Sequence, residues 1–251
     1  MAATAPPEQQ SKLIEAAAAA DVPWVLPNEW GTDGENRELG KDTRLGEMKA
    51  KYRARIEELG KSSWIGIACS FWYEFSLSNG KETYGFDFKN RAVTFIDEGK
   101  TRINTSTWPQ CGRGIAGLLG LKVLPDDEND RSPCLSQFRN RFVYISSFLV
   151  SQKDMLDSVM RVTGTSLQDW KITHEAHKER YESGVAELKK GNRLGFGRLL
   201  YTRVFYPDGS GDYETSKGLQ NDILGLPKED IDEYTRVALR MAEEQSGWGK
   251  H

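Results

Sequence analysis

Over its first seventy positions the chain alternates between two hydrophobic rhythms. Leu13 through Ala20 is nearly all strong helix former, opened by Pro6-Pro7 and stopped by Asp21 and Pro23. A short apolar run, Trp24-Val25-Leu26, then ends at Pro27 and predicts a buried strand. From about Glu47 to Leu59, Met48, Tyr52, Ile56 and Leu59 recur at helical spacing, with Gly60 where a C′ glycine belongs. That spacing turns Met48, Tyr52 and Ile56 toward the core. Trp64-Ile65-Gly66-Ile67-Ala68-Cys69 is continuous and apolar, the pattern of a parallel strand buried on both faces. The order α-β-α-β predicts a layer of doubly wound α/β structure.

Beyond about residue 75 the pattern becomes mixed. Ala92 to Ile96 and Thr101 to Ile103 flank Glu98-Gly99-Lys100 and predict a hairpin. Thr107 is placed to cap a helix running from Trp108-Pro109 to about Leu119. Asp126 to Ser136 reads as loop and Phe142 to Phe148 as one strand. Ser151-Gln152-Lys153-Asp154 has the form of a capping box for a helix ending at Gly164. Trp170 to Thr173 predicts a short strand, followed by helices at about Ala176 to Lys190 and Leu194 to Phe205. Asp208-Gly209-Ser210-Gly211-Asp212 is turn-rich, and Ile231, Val237, Ala238 and Met241 mark a last amphipathic helix.

Composition narrows the partners. With 38% hydrophobic and 28% charged residues the 251-residue chain has the make-up of a soluble globular protein. A net charge of −3 gives no electrostatic reason to expect nucleic acid or an anionic membrane. Seven Trp and nine Tyr point instead to an aromatic-lined interior or pocket. Cys69, Cys111 and Cys134 are odd in number and far apart, which argues against a disulfide framework or thiolate metal site and for a reducing compartment. No basic segment precedes the alanine run, and no stretch approaches about 18 uninterrupted apolar residues. Gly249-Lys250-His251 matches no retention or peroxisomal address. The expected location is the cytoplasm.

Three motif matches carry less than their letters suggest. Gly112-Arg113-Gly114-Ile115-Ala116-Gly117 is a literal G-x-G-x-x-G, but it falls inside a helix already opened at Trp108 instead of following a core strand, so close helix packing is expected of it. Tyr213-x-x-x-Lys217 follows a Gly/Asp-rich turn and is expected on a surface loop. His174-x-x-His177 has no third ligand at zinc spacing, and surface or capping roles are expected. Lys49 stands near the start of a helix, where a lysine opposes the helix dipole; the residues by themselves read it as a solvated surface lysine or as one held there for function, the first being the ordinary case.

Three segments together resemble the isoflavone-reductase-like, NmrA-like group of atypical short-chain dehydrogenases, in its fungal branch. Trp24-Val25-Leu26-Pro27-Asn28-Glu29-Trp30-Gly31 is similar to that group's F-x-P-S-E-F-G strand and loop. Met48 through Glu57 resembles its K-x-K-x-R-x-x-I-E helix, and Trp64 to Phe75 its strand and following aromatic loop. The resemblance implies a Rossmann-like parallel sheet over residues 1–75 and a smaller mixed α/β substrate-facing part over 76–251. It implies NADPH as cofactor, Lys49 as general base or proton relay, and Pro27, Asn28, Glu29, Trp30, Ser70 and Phe71 on the cofactor side. Trp72, Tyr73 and Phe75 would hold a small aromatic or phenolic substrate. Relatives in this group also include non-catalytic dinucleotide-sensing regulators that act through a protein partner.

The similarity begins at the helix before the P-S-E-F-G-like strand, and no Gly-rich phosphate turn stands ahead of Trp24. The expectation is therefore of an N-terminally truncated relative lacking the amides that hold a pyrophosphate. Calorimetry on the 251-residue chain should find NADPH binding weaker than about 1 μM; a tighter dissociation constant would refute that expectation.

Overall fold

The structure, a computed structural model, describes residues 7–244; Pro6 and the Gly249-Lys250-His251 end lie outside the described residues. Helix α1 (Pro7–Ala19) leads to strand β1 (Trp24–Val25) through Asp21, a non-glycine residue at φ 50°. Helix α2 (Arg37–Asp42) begins at Asn36, whose side-chain oxygen accepts the Leu39 amide at 2.9 Å. Helix α3 (Gly46–Leu59) stops at Gly60, and β2 (Ser63–Ala68) is buried at every position. β3 (Phe71–Trp72) runs directly into α4 (Tyr73–Ser78). After β4 (Phe86–Asp87), β5 (Ala92–Ile96) and β6 (Ile103–Ser106), helix α5 (Trp108–Leu119) is capped as expected, Thr107 Oγ1 accepting the Gln110 amide at 3.0 Å. β7 (Arg141–Tyr144) and β8 (Phe148–Val150) precede α6 (Gln152–Thr163), which has the Ser151–Asp154 capping box and a left-handed Gly164 at its end. β9 (Lys171–Glu175), α7 (His177–Lys189), α8 (Leu194–Val204), α9 (Tyr213–Lys217) and α10 (Ile231–Glu243) follow.

The chain divides into two compact units that are discontinuous in sequence. The first takes the chain up to Cys69, then Cys111–Ile145 and Gly218–Pro227; the second takes Ser70–Gln110, Ser146–Lys217 and the chain from Lys228. In the first, β1, β2 and β7 form a parallel sheet in the order β1-β2-β7, with α3 packed on α1, α2 and β2. Gly66 stands opposite Phe142 in this register. Without a Cβ at Gly66 the Phe142 ring lies across β2 and meets Trp64 edge-on at 5.4 Å.

The second unit holds two further three-stranded sheets, β3-β6-β8 and β4-β5-β9. Helices α4 and α6 both pack on α10, and α7 packs on α8. The second unit takes the larger share of the chain, because both the β2–β7 connection and the segment after β7 return to it.

Four local expectations need correction. The chain does reverse at Gly99, whose amide bonds the Ile96 carbonyl at 2.9 Å. No hairpin results, because β5 pairs with β4 and β9 while β6 pairs with β3 and β8. The run from Phe142 to Phe148 is two strands in different sheets; the Ser146 hydroxyl donates to the Phe148 carbonyl at 2.9 Å and bends the chain between them. Tyr213 to Lys217 is a short helix with Tyr213 buried, not a surface loop, since Asp212 caps it through the Thr215 amide. Met48 points outward at 38% exposure, so the inward stripe of α3 rests on Ile56. Among the described residues no helix is long and apolar enough to cross a membrane.

Adding a methyl at Gly66 forces the Phe142 ring to move. Gly66→Ala should cost about 1–3 kcal/mol, read as a lower urea midpoint at unchanged slope, with Phe142→Leu recovering part of the loss. An unchanged midpoint would show that the ring is not pressed against β2.

Candidate functional site

In the first unit, the chain leaving β1 passes over the carboxyl end of the parallel sheet, where open α/β sheets bind ligands. Pro27 is buried and its carbonyl accepts the Glu29 amide at 2.7 Å. Gly31 bridges Ala68 in parallel, and its carbonyl accepts the Cys69 amide at 3.0 Å. This turn drives the Glu29 side chain inward to 1% exposure. A buried carboxylate requires compensation, and two cations from one face of α3 provide it. Arg53 donates to Glu29 Oε1, and Lys49 Nζ lies 3.6 Å from Oε2.

Arg53 is itself fixed. Its guanidinium lies 5.4 Å from the Trp64 ring centre and 5.2 Å from that of Phe142, and it donates to the Gly34 carbonyl at 3.3 Å. The arrangement explains a lysine near the start of α3, since the opposing dipole is met by Glu29. At 3.6 Å the Lys49–Glu29 contact is an ion pair but too long for a hydrogen bond. Lys49 therefore keeps ammonium donors for another acceptor, with its side chain 16% exposed. Asn28 and Trp30, half-buried, flank Glu29 on the same loop. The largely buried Lys49 ammonium thus has donors left for an acceptor oxygen brought to the carboxyl end of the sheet. Glu29, expected on the cofactor side, instead has its carboxylate turned inward as the group that holds Lys49 and Arg53.

The second unit opens with Ser70, buried at φ 55°. Phe71 stacks on Tyr201 at 4.0 Å and 18°, and its carbonyl accepts the Thr105 hydroxyl at 2.7 Å. Of the three residues expected to hold substrate, the structure brings two together. Trp72 and Phe75 form a triangle with Trp108, with ring centres 5.9 to 6.1 Å apart, and Trp108 is 43% exposed. Tyr73 is fully buried, with its hydroxyl 2.7 Å from Thr235 Oγ1, and burial pushes its pKa well up. The sequence marked Trp108 as a helix start and as the end of a segment, Ile103–Trp108, that resembles the fungal branch, but not as a substrate contact; Glu74 Oε1 accepts its amide at 2.8 Å and holds the start of α5 beside α4.

The other motifs have packing or capping roles. Gly114 and Gly117 sit inside α5, facing Ile145 and Leu224 at distances no Cβ would allow. His174 Nδ1 meets the Asp97 carbonyl and His177 Nδ1 the Asp97 carboxylate, each at 2.7 Å. Cys69, Cys111 and Cys134 are buried free thiols. Among the described residues no group of three His, Cys, Asp or Glu is placed to hold a metal.

No protein-family model matches the chain. It is 25% identical over 238 residues to the oxidoreductase aprR of Aspergillus flavus, covering 93% of this chain and 73% of that one. Among solved structures, isoflavone reductase matches with a TM-score of 0.68 at 17% identity, covering 93% of this chain and 72% of its own. The leucoanthocyanidin reductase of Vitis vinifera, solved with NADPH, matches with a TM-score of 0.60 at 12% identity, covering 94% of this chain and 74% of its own. The chain therefore has the Rossmann-like α/β fold of the isoflavone-reductase-like reductases and is similar along nearly its whole length to a fungal oxidoreductase.

Proposed function

We propose that the chain is an NAD(P)H-dependent reductase acting on a small aromatic or phenolic compound, with Lys49 handling the proton. The observation that carries this reading is the Lys49 ammonium, held by the buried Glu29 carboxylate at the carboxyl end of a parallel sheet with hydrogen-bond donors unspent. The similarity to a fungal oxidoreductase, and to a reductase solved with NADPH, supports the same chemistry.

A reduced nicotinamide, when bound, supplies a hydride. Lys49 Nζ would hold a proton at hydrogen-bond distance from the acceptor oxygen, while Asn28 and Trp30 orient the ligand along the loop. Glu29 acts through Lys49: it keeps the ammonium in place. Arg53, committed to Glu29, Gly34 and two rings, is structural. In the second unit, Phe71 fixes Ser70 and Trp72 on either side of itself, and the open rings of Trp72, Phe75 and Trp108 supply flat apolar surface for an aromatic compound.

Lys49→Ala, assayed with millimolar NADPH and a panel of aryl carbonyl compounds, should lower turnover by about 100-fold or more while ligand binding persists. Absence of NADPH-dependent reduction by the native chain, or full turnover by the variant, would overturn the assignment. Glu29→Ala should also lower stability by about 3 kcal/mol, because it leaves Arg53 and Lys49 without their counter-charge. Denaturant unfolding reads that loss directly.

A further inference from the structure

A cleft of about 840 Å³ opens in the first unit, walled by residues of α2, α3, β2 and the start of β7. Arg37 and Lys41 of α2 line it together with Arg44, just beyond that helix. All three are exposed, and their side chains have no ion pair or hydrogen bond among the described residues. The segment that carries them is fixed in place. Leu39 is fully buried, and α2 meets α3 so closely that a Cβ on Gly46 would stand 2.6 Å from the Gly40 Cα.

The two carboxylates in the lining are engaged elsewhere. Glu47 pairs with Lys51 at 2.7 Å, and Glu35 acts with Asp33 on the Tyr144 hydroxyl. Arg53, also in the lining, is matched by Glu29. Asn140 adds a neutral donor: its Oδ1 accepts the Trp64 amide at 2.9 Å, while its Nδ2 has no partner among the described residues. Three cations without counter-charge and one free amide therefore share a concave space. Like charges four apart on a helix, about 5–6 Å between Cβ atoms, repel one another, and an anion lying across them removes that cost.

We propose that this cleft is a second binding site, for a linear di- or triphosphate held by Arg37, Lys41 and Arg44. The spacing of the cations suits an extended anion, since side chains on successive turns reach different phosphoryl groups. Guanidinium groups match phosphoryl oxygens two at a time, and the lysine adds a point charge between them. Trp64 and Phe142 offer an apolar wall to any organic group that the phosphates carry, and the volume is that of small-molecule sites. The site is separate from the one assigned to reduction, because Asn28, Glu29, Trp30 and Lys49 do not line it.

Calorimetry of the full chain at low salt should find tripolyphosphate bound with a dissociation constant of about 100 μM or tighter, weakening as salt is added. Arg37→Gln, Lys41→Gln and Arg44→Gln should each weaken it by about tenfold, the effect of one charged hydrogen bond. These side chains are exposed and unpaired, so the urea midpoint should not move. Lys171→Gln, the same change of charge in the second unit, and Lys49→Gln should leave binding unchanged. ATP titrated in parallel identifies the source: tighter binding than tripolyphosphate marks a nucleotide, and weaker binding an inorganic polyphosphate. Failure of both probes to bind the native chain would overturn the site. So would an equal loss in Lys171→Gln, which marks diffuse attraction, or in Lys49→Gln, which puts the anion at the reductase site. No turnover is measured, so the result stands apart from the reductase assignment.

Discussion

A carboxylate with 1% exposure cannot stand alone, and in the first unit the placement of loop, helix and sheet follows from that constraint at Glu29. Its two cations come from successive turns of α3, so the loop leaving β1 is locked to that helix. Arg53 extends the lock to the sheet, because its guanidinium sits against Trp64 of β2 and Phe142 of β7. Phe142 reaches that position only because Gly66 beside it has no side chain. One buried charge thus links all the elements that carry Lys49, and the lysine is positioned as a consequence.

The second unit is specified differently, by hydroxyl groups buried among rings. Tyr73, Ser158 and Thr235 join α4, α6 and α10. Tyr84 pairs with Thr105, and Tyr201 with Ser76. Burial raises the pKa of all three tyrosines well above the usual range, so each remains a neutral partner near neutral pH. Where a charge is buried it is paired: Arg180, 1% exposed, bonds Glu175 and the Lys81 carbonyl. Unmatched atoms remain in the unit even so: Glu74 Oε2 and Arg180 Nε are buried without a hydrogen-bond partner.

Local signals were legible wherever a short-range contact decides the outcome. The Ser151–Asp154 box, the Thr107 cap and the buried β2 are set by residues within a few positions of one another. Strand pairing was not legible, because β5 finds β9 some eighty residues away and β6 finds β3 and β8 instead of its neighbour. The resemblance marked Lys49 and the aromatic loop after β2, but Tyr73 and Phe75, two residues apart, diverge to the interior and to the ring triangle.

The sequence by itself determined the α-β-α-β start, the helix termini, the parallel character of β2 and a candidate lysine on α3, since periodicity, caps and apolar runs are local properties. The tertiary structure alone decided that Glu29 faces inward to hold that lysine, that Trp108 joins Trp72 and Phe75, and that Glu74 is buried with one oxygen unmatched. Burial and partnership are set by chain segments distant in sequence, and no local pattern records which of them will meet.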